Sequence, residues 1–213
     1  MTDIWSERAA AYRESATHAS GGDLDLVVEW CEPGPGVTAL DVAAGGGHVG
    51  RRLREAGASV VTTDPAPGMG ADTTAPAEDL PFADASFDVV ACRLGAHHFS
   101  DVLTALKEMA RVSRGRLVIC DNVFVSETSE EADRLRDPSH VRNYSAPEWY
   151  SFFELAGLRV EDERHFARET EFDAWLARVN CTGEAAARVR ELLGDRVVDG
   201  QLSLPTVVIR GAK

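Results

Sequence analysis

Two carboxylates and a run of glycines make the densest chemistry in this sequence. Asp41 lies in an apolar run that begins at Val37, Gly45, Gly46 and Gly47 follow shortly, and Asp64 closes a second run that begins at Ser59. An apolar stretch that enters three glycines and then a helical pattern reads as a buried strand, a tight turn and a helix start. Only a residue without Cβ lets a backbone turn that sharply and lie against a ligand, and the helix N-terminus behind it presents unpaired N–H groups. Asp64 is placed to accept from vicinal hydroxyls through two oxygens. Farther along, His97, His98 and His140 offer imidazoles that titrate near neutrality and suit a general base, and a hydrogen-bonding role fits each of them as well. Arg136 and Arg142 flank His140 as two cations in a chain that is otherwise acidic.

Two cofactors compete for the turn. Gly45, Gly47 and Gly50 satisfy G-x-G-x-x-G, and Asp64 stands at about the separation of a ribose-binding acid, so an NAD(P)-dependent oxidoreductase is one reading. Asp41 counts against it, because a carboxylate just ahead of the first glycine repels a pyrophosphate. The same carboxylate suits a ligand with a cationic end, such as the ammonium of S-adenosylmethionine. Methyl transfer from a sulfonium asks the protein mainly for position and, with a hydroxyl acceptor, for a base.

These residues need a frame. The pattern predicts a helix over 3–16 with Thr2 or Asp3 as N-cap, a loop over 18–22, and a helix from Asp23, as N-cap, to the stop at Glu32-Pro33-Gly34-Pro35-Gly36. A helix carrying Val49, Leu53 and Ala56 and a strand over 58–63 complete a βαβ unit, which places Asp41 and Asp64 on one sheet edge. Residues 65–77 are too short and too rich in proline and glycine for a full helix and strand. A strand over 89–92 delivers Arg93, His97 and His98 to the same edge; a helix over 101–112, capped by Ser100 or Asp101, and a strand over 116–120 follow. Ser145, Pro147 and Glu148 start another helix that Gly157 ends; a strand over 158–160, a helix over 182–193 and a last strand over 202–210 remain, with Pro205 pointing to an edge or a strand start.

Asp41-Val-Ala-Ala-Gly45-Gly-Gly47 resembles motif I of class I S-adenosylmethionine-dependent methyltransferases. The stretch from Ala77-Glu78-Asp79-Leu80-Pro81-Phe82 to Phe87-Asp88-Val89-Val90 resembles a later block of the subgroup that includes the ubiquinone and menaquinone biosynthesis methyltransferases. Ala96-His97-His98-Phe99 and Arg136-Asp137-Pro138-Ser139-His140-Val141 extend the likeness over nearly the whole chain. The resemblance implies one domain over 1–213: a Rossmann-like three-layer α/β/α sandwich with a seven-strand, mostly parallel sheet and an antiparallel last strand. It also implies a helical cap over 1–36 folded on the cofactor; the charged stretch inserted after the fifth strand, at the C-terminal edge of the sheet, reads as a lid-like insertion over 123–145. The implied cofactor is S-adenosyl-L-methionine, with S-adenosyl-L-homocysteine as product, held by Asp41, Ala43, Gly45, Gly47, Asp64, Pro65, Met69, Ala77, Glu78 and Arg93. In that arrangement Tyr12, Ser15 and His18 of the cap line the site; Tyr12, His18, Arg136 and Arg142 are the candidate acceptor contacts, and His98, His140 and His97 the candidate bases. The family commonly carries Asp or Asn before the Ala-Glu pair to accept from the adenine amino group. Pro76 stands there in this chain, so the backbone of Ala77, Met69 against the ring, or Asp79 must substitute.

The function expected is methylation of a small molecule at oxygen, carbon or nitrogen. The alternative is a protein of this fold that binds the cofactor without transferring a methyl group, as a cyclase or a binding module; Pro76 and the short 65–77 crossover keep it open. A formal charge of −13 disfavours nucleic acid or an anionic membrane as partner. No 18-residue apolar stretch and no leader pattern is read, which leads us to expect a cytoplasmic monomer or homodimer. Cys31, Cys92, Cys120 and Cys181 lack C-x-x-C spacing, and no metal site is expected.

Overall fold

The computed structural model describes residues 4–213; Thr2 and Asp3, the expected cap of the first helix, lie outside the described residues. Helices α1 (Ile4–Arg13), α2 (Ala16–Ala19) and α3 (Gly22–Cys31) open the chain, so part of the expected loop over 18–22 is the single turn α2. The N-cap of α3 is Gly21, at φ +129°, rather than Asp23. Asp23 lies inside the first turn because its carboxylate is drawn into a buried pair with Arg93, Nε to Oδ2 at 2.8 Å.

The βαβ unit is β1 (Thr38–Val42), α4 (His48–Glu55) and β2 (Ser59–Asp64). In the short crossover, one 3-10 turn over Pro67–Met69 replaces a helix, and a two-residue strand, β3 (Thr73–Thr74), pairs with the end of β2. Asp72 fastens it: Oδ2 accepts from the Thr62 N–H at 2.9 Å and from the Thr62 hydroxyl and Arg54 Nη2 at 2.8 Å. Next come β4 (Phe87–Arg93), α5 (Val102–Val112) and β5 (Ser113–Asn122). Asp101 caps α5, accepting from the Leu103 and Thr104 N–H groups at 3.1 Å.

The charged stretch after Asn122 contains a helix, α6 (Glu127–Arg136). Then α7 (Ala146–Leu155) begins at the expected capping residues, Glu148 Oε2 accepting from the Ser145 N–H at 2.9 Å. The rest is β6 (Arg159–Glu171), α8 (Phe172–Ala177), α9 (Gly183–Leu193), β7 (Val197–Val198) and β8 (Gln201–Ala212).

The sheet runs β3-β2-β1-β4-β5-β8-β6, with the short β7 paired to β8. All pairs from β3 to β5 are parallel, and β8 is antiparallel to both β5 and β6. The expected architecture is the one observed, with β7 as a small addition. The inner strands are apolar along most of their length because both faces are covered. Leu24, Val27 and Leu53 of α3 and α4 cover one face; Leu106, Met109, Trp149 and Phe153 of α5 and α7 cover the other. A third cluster, with Phe172, Trp175, Leu176, Val189 and Leu202, joins α6, α8 and α9 beyond the sheet.

Pro205 is neither at an edge nor at a strand start, since β8 lies between β5 and β6. Its carbonyl accepts from Val123 N at 2.9 Å on the β5 flank, just past the last ladder pair Asn122–Thr206. The N–H that proline lacks therefore falls where that ladder has already ended. Among the described residues no helix is long and apolar enough to cross a membrane.

Candidate functional site

A cavity of about 280 Å³ opens at the C-terminal edge of β1, β2 and β4, where an open α/β sheet binds ligands. Its floor is the turn after β1. Ala43, Gly45 and Gly47 hold positive φ values of +54°, +50° and +75°. A Cβ on Gly45 would meet nothing within 4 Å, so this glycine leaves open space in the cavity wall. Gly46 has the opposite reason: a Cβ there would lie 2.7 Å from the Tyr12 carbonyl oxygen and 2.8 Å from His48 Nε2. The N-terminal cap thus rests directly on the turn, and His48 Nε2 donates to the Tyr12 carbonyl at 3.0 Å.

Asp41 stands beneath the turn, and its Oδ2 accepts from Gly50 N at 2.8 Å. Burial pushes its carboxyl up to about 7; the Gly50 N–H and Arg54 oppose this, and the nearby Asp64 adds to it. Asp64 orients the turn from the side: Oδ2 accepts from Gly45 N and Oδ1 from Ala66 N, both at 2.9 Å. Pro65, Met69, Pro76, Ala77 and Glu78 continue the wall, whereas the exposed Asp79 is not part of it. Glu78 Oε1 accepts from the N–H and hydroxyl of Ser100 at 2.8 Å, which ties the wall to the start of α5.

Arg93 lines the cavity, but its guanidinium is committed to Asp23 and, through Nη1 at 2.9 Å, to the His18 carbonyl. It holds the cap down rather than facing a ligand. Tyr12 and His18 form the opposite wall, with ring centroids 5.3 Å apart, and Trp5 stands 4.5 Å from His98. Trp5 and His48 escaped the sequence reading. Trp5 had a signal, lying two helical turns before Tyr12 on one face; His48 had one as the first residue after the glycines.

Of the three candidate bases, only His98 lines the cavity. Its Nδ1–H donates to the Ser139 carbonyl at 3.0 Å, leaving Nε2 with the lone pair. Burial, and then the charge of His97, hold its pKa well below the usual range, so it is a weak base. His97 is locked to Asp121, Nδ1 to Oδ1 at 2.5 Å; burial works against its protonation, but Asp121 outweighs that and raises its pKa. His140 is buried and bonded to Glu130 Oε2 at 3.0 Å. The 136–142 segment therefore backs the His97–His98 turn, whose His97 carbonyl accepts from Val141 N and Arg142 N. No residue of 136–142 lines the cavity. Arg142 is paired with Glu148 at 2.6 Å, and Arg136 lies on Trp175 with its guanidinium 4.1 Å from the ring centre; neither lines the cavity.

Donor atoms of Glu130, Asp133 and His140 all lie within 4.8 Å of one another. They are occupied within the cluster, since Asn143 Nδ2 donates to Glu130 at 2.8 Å and to Asp133 at 2.9 Å, and His140 donates to Glu130. This arrangement fastens α6 to the 140–143 segment.

A family model described as a methyltransferase domain matches residues 40–119, which run from β1 to the end of the parallel sheet. An uncharacterized methyltransferase of Bacillus subtilis, YcgJ, is 32% identical over 211 residues, covering 89% of this chain and 82% of its own. The crystal structure of that protein superimposes with a TM-score of 0.82 at 28% identity, over 90% of this chain and 97% of the other. The demethylmenaquinone methyltransferase of Mycolicibacterium paratuberculosis is 43% identical over 98 residues, 41% of this chain and 43% of its own length. With the glycine turn, the two strand-end acids and a relative that aligns along most of both sequences, this chain belongs to the methyltransferase-domain family.

Proposed function

We propose that the protein transfers the methyl group of S-adenosylmethionine to a small-molecule acceptor bound under the N-terminal cap. The observation that carries this reading is one continuous cavity whose floor is the glycine turn and whose far wall is Trp5, Tyr12, His18 and His98. In it the Asp64 carboxylate, aligned by the Gly45 and Ala66 N–H groups, takes the ribose hydroxyls. The methionine part lies over Gly45, where a side chain is absent, and Asp41 counters its ammonium across the turn. Met69 and Ala77 give the adenine an apolar bed, which suits a chain with Pro76 in place of a polar acceptor.

The cofactor supplies an electrophilic methyl group when bound. The protein's part is to align an acceptor behind that methyl and to exclude water, which the cap does through Tyr12 and its contacts with Gly46 and His48. Proton removal is a minor task, because His98 is a weak base and His97 and His140 lie off the cavity. The test is mass spectrometry of the ligand that copurifies, followed by transfer of a labelled methyl group from S-adenosylmethionine into a small-molecule extract. Label in an extractable product supports methyl transfer; bound cofactor with no labelled product supports the cyclase or binding-module alternative.

A further inference from the structure

Behind the His97–His98 turn, four polar side chains meet in a buried place that the cavity does not reach. Glu130 and Asp133 stand one helical turn apart on the same face of α6, and His140 and Asn143 meet them from the segment that follows. Glu130, His140 and Asn143 are only 1%, 8% and 4% exposed. His140 Nε2 lies 3.0 Å from Glu130 Oε2, and Asn143 Nδ2 lies 2.8 Å from Glu130 Oε1 and 2.9 Å from Asp133 Oδ2. One donor atom from each of Glu130, Asp133 and His140 falls within 4.8 Å of the other two.

Hydrogen bonds alone leave this arrangement incomplete. Two carboxylates share it, yet among the described residues Asp133 forms no ion pair, and the guanidinium nearest Glu130 is that of the half-exposed Arg134, at 3.9 Å. Carboxylates drawn out of water without a full counter-charge are costly. Asn143 spends its amide hydrogens on them, and its Oδ1 is left buried without a partner. Asn122 Oδ1 is in the same condition, and Asn122, Asp133 and Asn143 line one small cavity of about 20 Å³, room for a single water molecule.

A divalent cation satisfies these groups together. Ligands bound at about 2.0–2.2 Å stand about 3 Å from their neighbours around the ion, which is the spacing between Glu130 and His140. Half a turn of the Asn143 amide exchanges Nδ2 for the orphaned Oδ1 and puts a carbonyl oxygen beside both carboxylates, a position that only a cation between them makes favourable. With its proton on Nδ1, His140 turns the Nε2 lone pair to the same point. Imidazole among carboxylate oxygens suits a zinc-like ion more than magnesium. We propose that Glu130, Asp133, His140 and the Asn143 amide oxygen bind one divalent transition-metal ion, with a water in the adjoining small cavity as a further ligand. The cysteine spacing gives no sign of such a site, because its ligands are a Glu-x-x-Asp pair on α6 and a His-x-x-Asn pair after it. The ion braces the cavity wall from behind: Ser139, next to His140, accepts from His98 Nδ1 at 3.0 Å, and Val141 N donates to the His97 carbonyl at 2.9 Å.

The experiment uses the full chain, treated with EDTA and dialysed, then titrated calorimetrically with zinc chloride, with magnesium chloride as comparison. One equivalent of Zn²⁺ is expected to bind and to raise the Tm in a saturable way, and Mg²⁺ at the same concentration to do neither. Asp133→Asn and His140→Gln should each weaken Zn²⁺ binding about tenfold or more, with affinity for S-adenosylhomocysteine within threefold of wild type. His165→Gln, at the surface pair of His165 with Glu163, should leave Zn²⁺ binding unchanged. Should a ligand variant fail to fold, Asn143→Asp decides: its third carboxylate should lower the Tm without Zn²⁺ and tighten Zn²⁺ binding at least fivefold. No Zn²⁺ binding by the wild type, undiminished binding in Asp133→Asn and His140→Gln, binding lost in His165→Gln, or no gain in Asn143→Asp overturns the site.

Discussion

At the glycine turn the cavity wall is main chain: Gly45 N and Ala66 N bind Asp64, Gly50 N binds Asp41, and Gly46 lies under the Tyr12 carbonyl. At the other end, around Tyr12 and His18, the wall is side chain, gathered from α1, α2, the His97–His98 turn and β4. The first end is rigid because each carboxylate is fixed by backbone donors that cannot move without unfolding a strand or helix end. The second depends on how the cap, α6 and α8 dock, through Arg8 to Asp137 and to the Val179 carbonyl and through Arg178 to Thr17. A fixed end for the proposed cofactor and an adjustable end for the proposed acceptor suit one chemistry applied to different acceptors.

Asp41→Asn should separate the two ends most sharply. A carboxyl whose folded pKa of about 7 exceeds its unfolded value stabilises the fold when protonated, and that contribution is lost as pH rises through about 7. At pH 8 the asparagine variant should therefore be more stable, by up to about 4 kcal/mol on a shift of about three units. The same variant should bind S-adenosylmethionine at least tenfold more weakly, about 1.4 kcal/mol, because the counter-charge is gone. Denaturant unfolding and calorimetry at pH 6 and 8 would check both signs; lower stability together with unchanged binding would contradict the role given to Asp41.

Gly46→Val probes the seam between the ends. The added Cβ meets the Tyr12 backbone, so the cap must shift, at a cost of about 1–3 kcal/mol in stability. Proteolysis should then cut within α1 and α2 first while the sheet stays intact; a cap as resistant as that of the wild type would show that it does not rest on the turn.

Arg142→Ala should do least. Its half-exposed pair with Glu148 is worth under about 1 kcal/mol, and turnover of any acceptor should stay within twofold. A tenfold loss would restore the lid that the sequence led us to expect.

That contrast also decides what the sequence reveals. Asp41, the glycines, Asp64 and the Asp101 cap are local patterns, each set by neighbours a few residues away, and the family resemblance adds to them. β6 was seen only over 158–160 because its continuation, Glu161-Asp162-Glu163-Arg164-His165, is charged, as befits an edge strand that must not recruit another chain. α6 has no apolar stripe to find: its buried residues are Ser129, Glu130 and Ala132, and it is held by Glu130 accepting from His140 and Asn143. The same holds for two of the other candidate residues. His140 and Arg142 sit near the other candidates in sequence, but polar contacts that no periodicity reports turn them away from the cavity.

Calorimetric titration of the wild type and Asp64→Ala with S-adenosylhomocysteine tests the central claim most directly. Wild-type binding in the micromolar range is predicted, weakened in the variant by about 1.5–3 kcal/mol as the ribose hydroxyls lose a charged acceptor. Absence of heat with the wild type, or a loss below about 0.5 kcal/mol in the variant, would contradict it.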